Sequence, residues 1–173
     1  AQELALRYPG MVSTLVLGAT TCGGPQAVLP QEDALREIMS IMTLPPAGIA
    51  RVAASVTFSP DFIERYPDEV RRWLRKGAES PPSAAAFAKQ AEALAGFETW
   101  GRLGQITAPT LVLSGTADRL IPVQNSRVLA SAIPGAELVL FEGARHGYLW
   151  EAGERANRVV RDFLRRHREP PAG

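Results

Sequence analysis

Two residues of this chain have the types and surroundings of an acid–base pair. Asp118 sits in Gly115-Thr116-Ala117-Asp118-Arg119-Leu120-Ile121-Pro122, and His146 in Gly143-Ala144-Arg145-His146-Gly147. Imidazole is the side chain best suited to take and return a proton near neutral pH. A carboxylate behind it holds the reactive tautomer and stabilises the cation that forms. A pair of this kind activates a nucleophile but does not itself attack. A blander reading stays open for each residue: an aspartate after a strand often bonds backbone amides of its own turn, and a lone histidine is often structural.

The segments that would position these residues have the pattern of a parallel sheet. Thr110-Leu111-Val112-Leu113 follows Pro109 and leads into the aspartate loop, and Glu137-Leu138-Val139-Leu140-Phe141 leads into the histidine loop. Both runs are short, apolar and rich in β-branched or aliphatic residues, as buried strands are. A helix is expected between them, from about Val123 to Ala132, closed by Pro134-Gly135. Ligands of open α/β sheets bind beyond the C-terminal ends of the strands, which is where both loops fall. Adjacent parallel strands lie about 5 Å apart, so side chains from neighbouring loops can meet. Gly143 and Gly147 are expected to let the histidine loop bend sharply.

Further upstream, Val12 to Leu17 has the composition of a strand buried on both faces. Residues 2 to 8 precede it as the end of a helix, with Leu4, Ala5 and Tyr8 at helical spacing and Pro9-Gly10 as its stop. No N-capping side chain opens this helix, so its beginning is expected to lie before Ala1. Residues 25 to 100 contain no good strand run. They read as a helical insert, with helices at Glu32–Met42, Ala47–Val56, Asp68–Lys76 and Ala84–Ala95. Ser59-Pro60 and Ser83 are plausible helix starts, and Pro45-Pro46 and Pro81-Pro82 are joints. A last amphipathic helix, from about Ala152 to Arg166, is expected to bury Ala156, Val159, Val160, Phe163 and Leu164.

Composition excludes several classes. The chain has 173 residues, enough for one domain, with 46% hydrophobic and 21% charged residues, as in folded soluble proteins. No apolar run approaches the length of a membrane span. Nineteen basic and 18 acidic residues give a net charge of +1, which does not point to nucleic acid or an anionic membrane as partner. Arg155, Arg158, Arg161, Arg165 and Arg168 recur along the last helix and are expected to form a solvated face, with His167 a solvated residue at its end. Cys22 has no second cysteine to pair with, which fits a reducing, cytoplasmic setting. No metal-ligand spacing, phosphate loop or dinucleotide fingerprint is present, so no cofactor or metal is indicated. Trp73, Trp100, Tyr148, Trp150 and the phenylalanines of the insert are candidates for an acyl pocket, or simply for core.

The run Ile106-Thr107-Ala108-Pro109-Thr110-Leu111-Val112-Leu113-Ser114-Gly115-Thr116-Ala117-Asp118, followed by Gly143-Ala144-Arg145-His146-Gly147, resembles the acid and histidine segments of the α/β-hydrolase fold. Ala1 to Gly10 is similar to the helix after the family's nucleophile elbow, and Met11 to Gly18 to the next core strand. The resemblance implies a partial α/β-hydrolase sheet of three parallel strands with flanking helices. The core would be residues 1–24 and 101–173, and residues 25–100 an α-helical lid. It also implies a serine-type hydrolase of a small carboxylic ester or lactone, with His146 as general base and acid and Asp118 as its orienting carboxylate. No alternative acid stands after the earlier strand, where the sequence reads Ala19-Thr20-Thr21.

The family's Gly-x-Ser-x-Gly nucleophile motif is absent from these residues; Ser13 and Ser114 fall within the expected strand segments. The nucleophile and the oxyanion amides would belong to a preceding segment, leaving this chain inactive without it. Dehalogenase, epoxide hydrolase, haloperoxidase and carbon–carbon hydrolase chemistries share the fold. The opposing reading is a truncated, non-catalytic module that self-associates through the exposed edge of strand 12–17.

Overall fold

The computed structural model describes residues 1–79 and 83–167. Its centre is a parallel three-stranded sheet in the order β1 (Leu15–Gly18), β2 (Thr110–Gly115), β3 (Glu137–Phe141). Leu15 pairs with Thr110, and Leu111 with Glu137. The middle strand is buried at every position, as its uninterrupted apolar run requires. β1 starts three residues later than the Val12 expected from its composition. Its ladder opens where the Leu15 amide donates to the Pro109 carbonyl, and Pro109 has no N–H with which to extend the pairing. β1 is also not buried on both faces: Leu15 and Leu17 are, but Val16 is half-buried and Gly18 exposed. It lies at the edge of the sheet, with one neighbouring strand among the described residues.

Helix α1 (Gln2–Arg7) has no side-chain cap and turns into a short 3-10 segment at Pro9–Met11. Its buried residues are Gln2 and Ala5, not Leu4 and Tyr8, which are exposed. Gln2 is buried because its amide donates to Thr21 O and accepts from the Thr99 hydroxyl, tying α1 to both ends of the insert.

Among the described residues, five α-helices lie between β1 and β2: α2 (Glu32–Ser40), α3 (Pro46–Thr57), α4 (Pro60–Arg65), α5 (Pro67–Glu79) and α6 (Ala84–Ala95). Prolines start α3, α4 and α5, where the missing amide costs nothing. Ser59 and Ser83 cap α4 and α6, accepting from Phe62 N and Ala86 N. The expected joint at Pro81-Pro82, like Arg168, lies outside the described residues. The ends of this insert are clipped together by an antiparallel bridge between Gly23 and Glu98 and by the Thr99 amide donating to Cys22 O.

After β2 come α7 (Val123–Ala132), β3, a four-residue helix α8 (Tyr148–Glu151) and α9 (Gly153–Arg166). One core cluster packs α1 and α7 against the sheet through Ala5, Leu15, Leu17, Val112, Leu129 and Ile133. A second packs α8 and α9 through Leu111, Leu113, Phe141, Tyr148, Ala156 and Phe163, and a third lies within the insert around Ala54, Phe58 and Val70. Leu164, expected to be buried, is 42% exposed. It lines an open, largely apolar groove of about 670 Å³ beside β1, together with Val16, Tyr148, Leu149 and Val160. Arg155, Arg158, Arg161 and Arg165 are exposed, and Arg155 also covers the Phe141 ring at 5.1 Å. Among the described residues no helix is long and apolar enough to cross a membrane.

Leu111 is wholly buried in the central strand, so Leu111→Ala leaves a cavity that neither layer of helices fills by small shifts. We expect a loss of about 2–5 kcal/mol in urea unfolding.

Candidate active site

The aspartate and histidine loops leave neighbouring strands and are stitched together before their side chains meet. Thr116 N donates to Phe141 O at 3.0 Å, Ala117 N to Ala144 O at 3.0 Å, and Gly143 N to the Thr116 hydroxyl at 2.8 Å. Gly143 makes the first bend with φ +72°, a conformation that a side chain strongly disfavours. Gly115 is needed for space instead: a Cβ there would run into the Ala144 and Arg145 carbonyls. Gly147, expected to supply a second sharp bend, has an ordinary φ of −80°. It is glycine because the Phe58 ring and Thr57 O lie against its Cα.

This stitching brings Asp118 Oδ2 to 2.9 Å from His146 Nδ1. The Asp118 side chain has no exposed surface, while the His146 side chain keeps 34%. The other carboxylate oxygen, Oδ1, accepts from Leu120 N at 2.8 Å and Ile121 N at 2.9 Å. Asp118 thus makes the contacts that both sequence readings call for: one oxygen closes its own turn and the other meets the imidazole. The amides also make the buried charge tolerable, since a carboxylate taken out of water needs hydrogen bonds on both oxygens. With Nδ1 occupied, His146 Nε2 has no partner among the described residues and is the nitrogen left for proton transfer.

Four residues not singled out in the sequence hold this pair against the insert. Arg119, next to Asp118, donates to Glu37 at 2.6 Å and to Asp33 at 3.1 Å, both on α2. Arg145, next to His146, donates to Ser55 O and Phe58 O at the end of α3. Burial, and then the charge of nearby Arg119, pull the Arg145 guanidinium below its ordinary value. Glu37 accepts from the Ser55 hydroxyl as well as from Arg119, and these bonds hold its carboxyl below the usual carboxylate range. Glu151 accepts from Arg145 N at 2.8 Å and Ser59 N at 3.2 Å. The adjacency of arginines to both candidate residues was a readable signal; their partners, about 80 to 90 residues away, were not.

The aromatic residues fall mainly in two places. Phe58, Phe62, Trp73 and Trp150 form one cluster at the foot of the insert, with ring centroids 5.1, 5.2 and 6.3 Å from Phe58. Tyr148 stacks on Phe141 in the core, and its phenol is pushed up to about 12 by burial and by Asp118. Trp100 is 39% exposed and belongs to neither group. Cys22 is buried, and burial pushes its thiol up. Ser114 is buried with its hydroxyl on the Gly115 carbonyl. His167 lies 3.6 Å from Glu137 and packs on Phe163, away from this site. Among the described residues no cluster of three or more His, Cys, Asp or Glu is arranged to hold a metal ion.

A parallel sheet with helices on both faces, and a long helical insert ahead of the strand that carries the acid loop, defines the class as an α/β-hydrolase fold. Residues 1–153 match the family described as serine aminopeptidase, S33, and the chain belongs to that family. The 2-hydroxy-6-oxononadienedioate/2-hydroxy-6-oxononatrienedioate hydrolase of Cupriavidus pinatubonensis is 33% identical over 172 residues, covering 95% of this chain and 57% of that protein. Among solved structures, the enol-lactonase from Burkholderia xenovorans superposes with a TM-score of 0.76 at 24% identity, over 94% of this chain and 60% of that one. A hydrolase from Pseudomonas aeruginosa does so with a TM-score of 0.75 at 25% identity, over 94% and 59%. The chain therefore spans a little under three fifths of the length of the curated relative.

Two outcomes follow from this geometry. Gly115→Ala should push the histidine loop off the β2 end, lower the melting temperature and abolish the Asp118–His146 contact in a crystal structure of the variant. The Glu37 bonds need the ionised carboxylate, so their contribution is complete at neutral pH. It is lost as pH falls from the ordinary carboxylate range through the depressed folded value. Hydrogen exchange of α2 amides should therefore rise on acidification through that window, and in Glu37→Gln it should already be raised at neutral pH.

Proposed function

We propose that this chain supplies the acid and histidine of a serine-type hydrolase that cleaves a small carboxylic ester or lactone. The observation that carries the reading is the 2.9 Å contact between Asp118 Oδ2 and His146 Nδ1, made by a fully buried carboxylate whose other oxygen is anchored on two amides. Asp118 keeps the imidazole in the tautomer that carries its proton on Nδ1. Nε2 then takes the proton of an attacking hydroxyl and returns it to the departing alcohol. Residues 25–100 act as a lid over this centre, and residues 1–24 and 101–173 form the core beneath it.

The serine comes from a Gly-x-Ser-x-Gly segment that these 173 residues do not contain. Two features support a place for it. β1 pairs on one side alone among the described residues, and Val16, Leu149 and Leu164 leave an apolar groove beside it. A strand seated there would put its C-terminal turn next to the histidine loop. The same edge is where two copies would pair if the chain persisted as a non-catalytic module. A second substrate reading comes from the Cupriavidus pinatubonensis relative, whose name gives an unsaturated hydroxy-oxo dioate.

The test is hydrolysis of a chromogenic short-chain ester, and of that dioate in parallel, by the chain with and without a polypeptide carrying the nucleophile segment. Turnover is expected only in the mixture. His146→Ala and Asp118→Asn should each lower it by about 10⁴-fold. Equal rates with and without the added segment, or an undiminished rate in His146→Ala, would contradict the proposal.

A further inference from the structure

Glu151 lies five residues beyond His146 and touches no reacting group, yet its carboxylate joins the histidine loop to the chain segment that leads into α4. Oε1 accepts from Arg145 N at 2.8 Å and Oε2 from Ser59 N at 3.2 Å. On the other side of His146, the Gly147 amide donates to Thr57 O at 2.6 Å. Both amides flanking the histidine are therefore tethered, one to Glu151 and one to the insert. The ring of bonds closes through Thr57, Phe58 and Ser59. Phe58 is completely buried inside this ring, against Gly147 and 6.3 Å from the Trp150 ring.

We infer that Glu151 is a positioning residue for His146: by gripping Arg145 N–H and Ser59 N–H at once, it fixes the histidine backbone and couples it to the start of α4. The inference rests on the reading of Asp118 and His146 as a working pair. Both partners of Glu151 are N–H donors, so the position needs two acceptors on one side chain. A carboxylate offers two, whereas a glutamine of the same shape offers one acceptor and one donor and must leave an amide facing its NH₂. Charge is thus required here as well as shape, since hydrogen bonds to an ionised acceptor are the stronger kind. The link has a second, separable half at Ser59. Its backbone, φ −66° and ψ 152°, admits proline, and Phe58 before it is already extended, as a residue preceding proline must be. Ser59→Pro therefore removes the amide that reaches Glu151 with the backbone path unchanged. It also removes the hydroxyl cap, which Ser59→Ala removes alone.

The test is the exchange with water of the His146 Nδ1 proton, followed by ¹⁵N-edited NMR in the whole 173-residue chain, with thermal unfolding to establish that each variant is folded. In the wild type a slowly exchanging Nδ1–H signal, abolished by Asp118→Asn, is expected. Glu151→Gln and Ser59→Pro should each speed its exchange about tenfold, the scale of one lost hydrogen bond to a charged group. Ser59→Ala should leave it within about twofold of the wild type, because the backbone bond to Glu151 persists. Unchanged exchange in folded Glu151→Gln, or equal acceleration in Ser59→Ala and Ser59→Pro, overturns the inference while leaving the acid–histidine pair standing. Absence of any Asp118-dependent signal in the wild type overturns the pair itself, and this inference with it.

Discussion

A carboxylate with no exposed surface is the constraint on which the rest of this structure turns. Burying the Asp118 charge is costly unless each oxygen is bonded. The fold meets that demand twice over, with the amides of Leu120 and Ile121 on one oxygen and the His146 imidazole on the other. The turn after β2 is therefore held in shape by the same group that orients the histidine. A change in the loop is felt at the imidazole, and loss of the imidazole leaves a buried oxygen without a partner. Stability and the proposed chemistry share one side chain.

The sheet alone does not complete this arrangement. β2 and β3 bring the two loops side by side, and three loop-to-loop hydrogen bonds set their spacing. The residues beside the pair then reach outward to the helices inserted between β1 and β2. Arg119 runs to the acids of α2, and Arg145 to the carbonyls at the end of α3. Glu37 joins these two attachments by bonding both Arg119 and the Ser55 hydroxyl. The end of α3 is consequently a hub, and a displacement of the helices there pulls on both loops.

The regular parts of this architecture were legible from local pattern. β2 could be read because an apolar run is bracketed by Pro109 and Gly115, and α7 because its length and Pro134-Gly135 stop are unambiguous. Serines followed at the right distance by helical residues marked α4 and α6. β1 begins later than its composition suggests because pairing decides where a strand begins, and Pro109 sets that limit from the neighbouring strand. Leu164, Leu4 and Tyr8 carry apolar side chains at helical spacing yet are exposed, since burial depends on what lies opposite a helix face. α8 has four residues, too few for any periodicity to register.

Of the candidate site, the meeting of Asp118 with His146 was legible, because residue type, glycine-bounded loops and position after strands all pointed the same way. Their supports were not. Glu37, Ser55 and Glu151 act through contacts whose partners lie far off in sequence or on backbone amides, which no spacing rule encodes. Gly147 is set apart by space and not by a bend, since a side chain there would meet the Phe58 ring.

The most direct measurement of the central claim is a high-resolution crystal structure of the chain at neutral pH. His146 Nδ1 is expected within hydrogen-bonding distance of one Asp118 oxygen, with the other on the amides of Leu120 and Ile121 and no solvent reaching the carboxylate. An Asp118 side chain turned to solvent, or an imidazole bonded elsewhere, would contradict it.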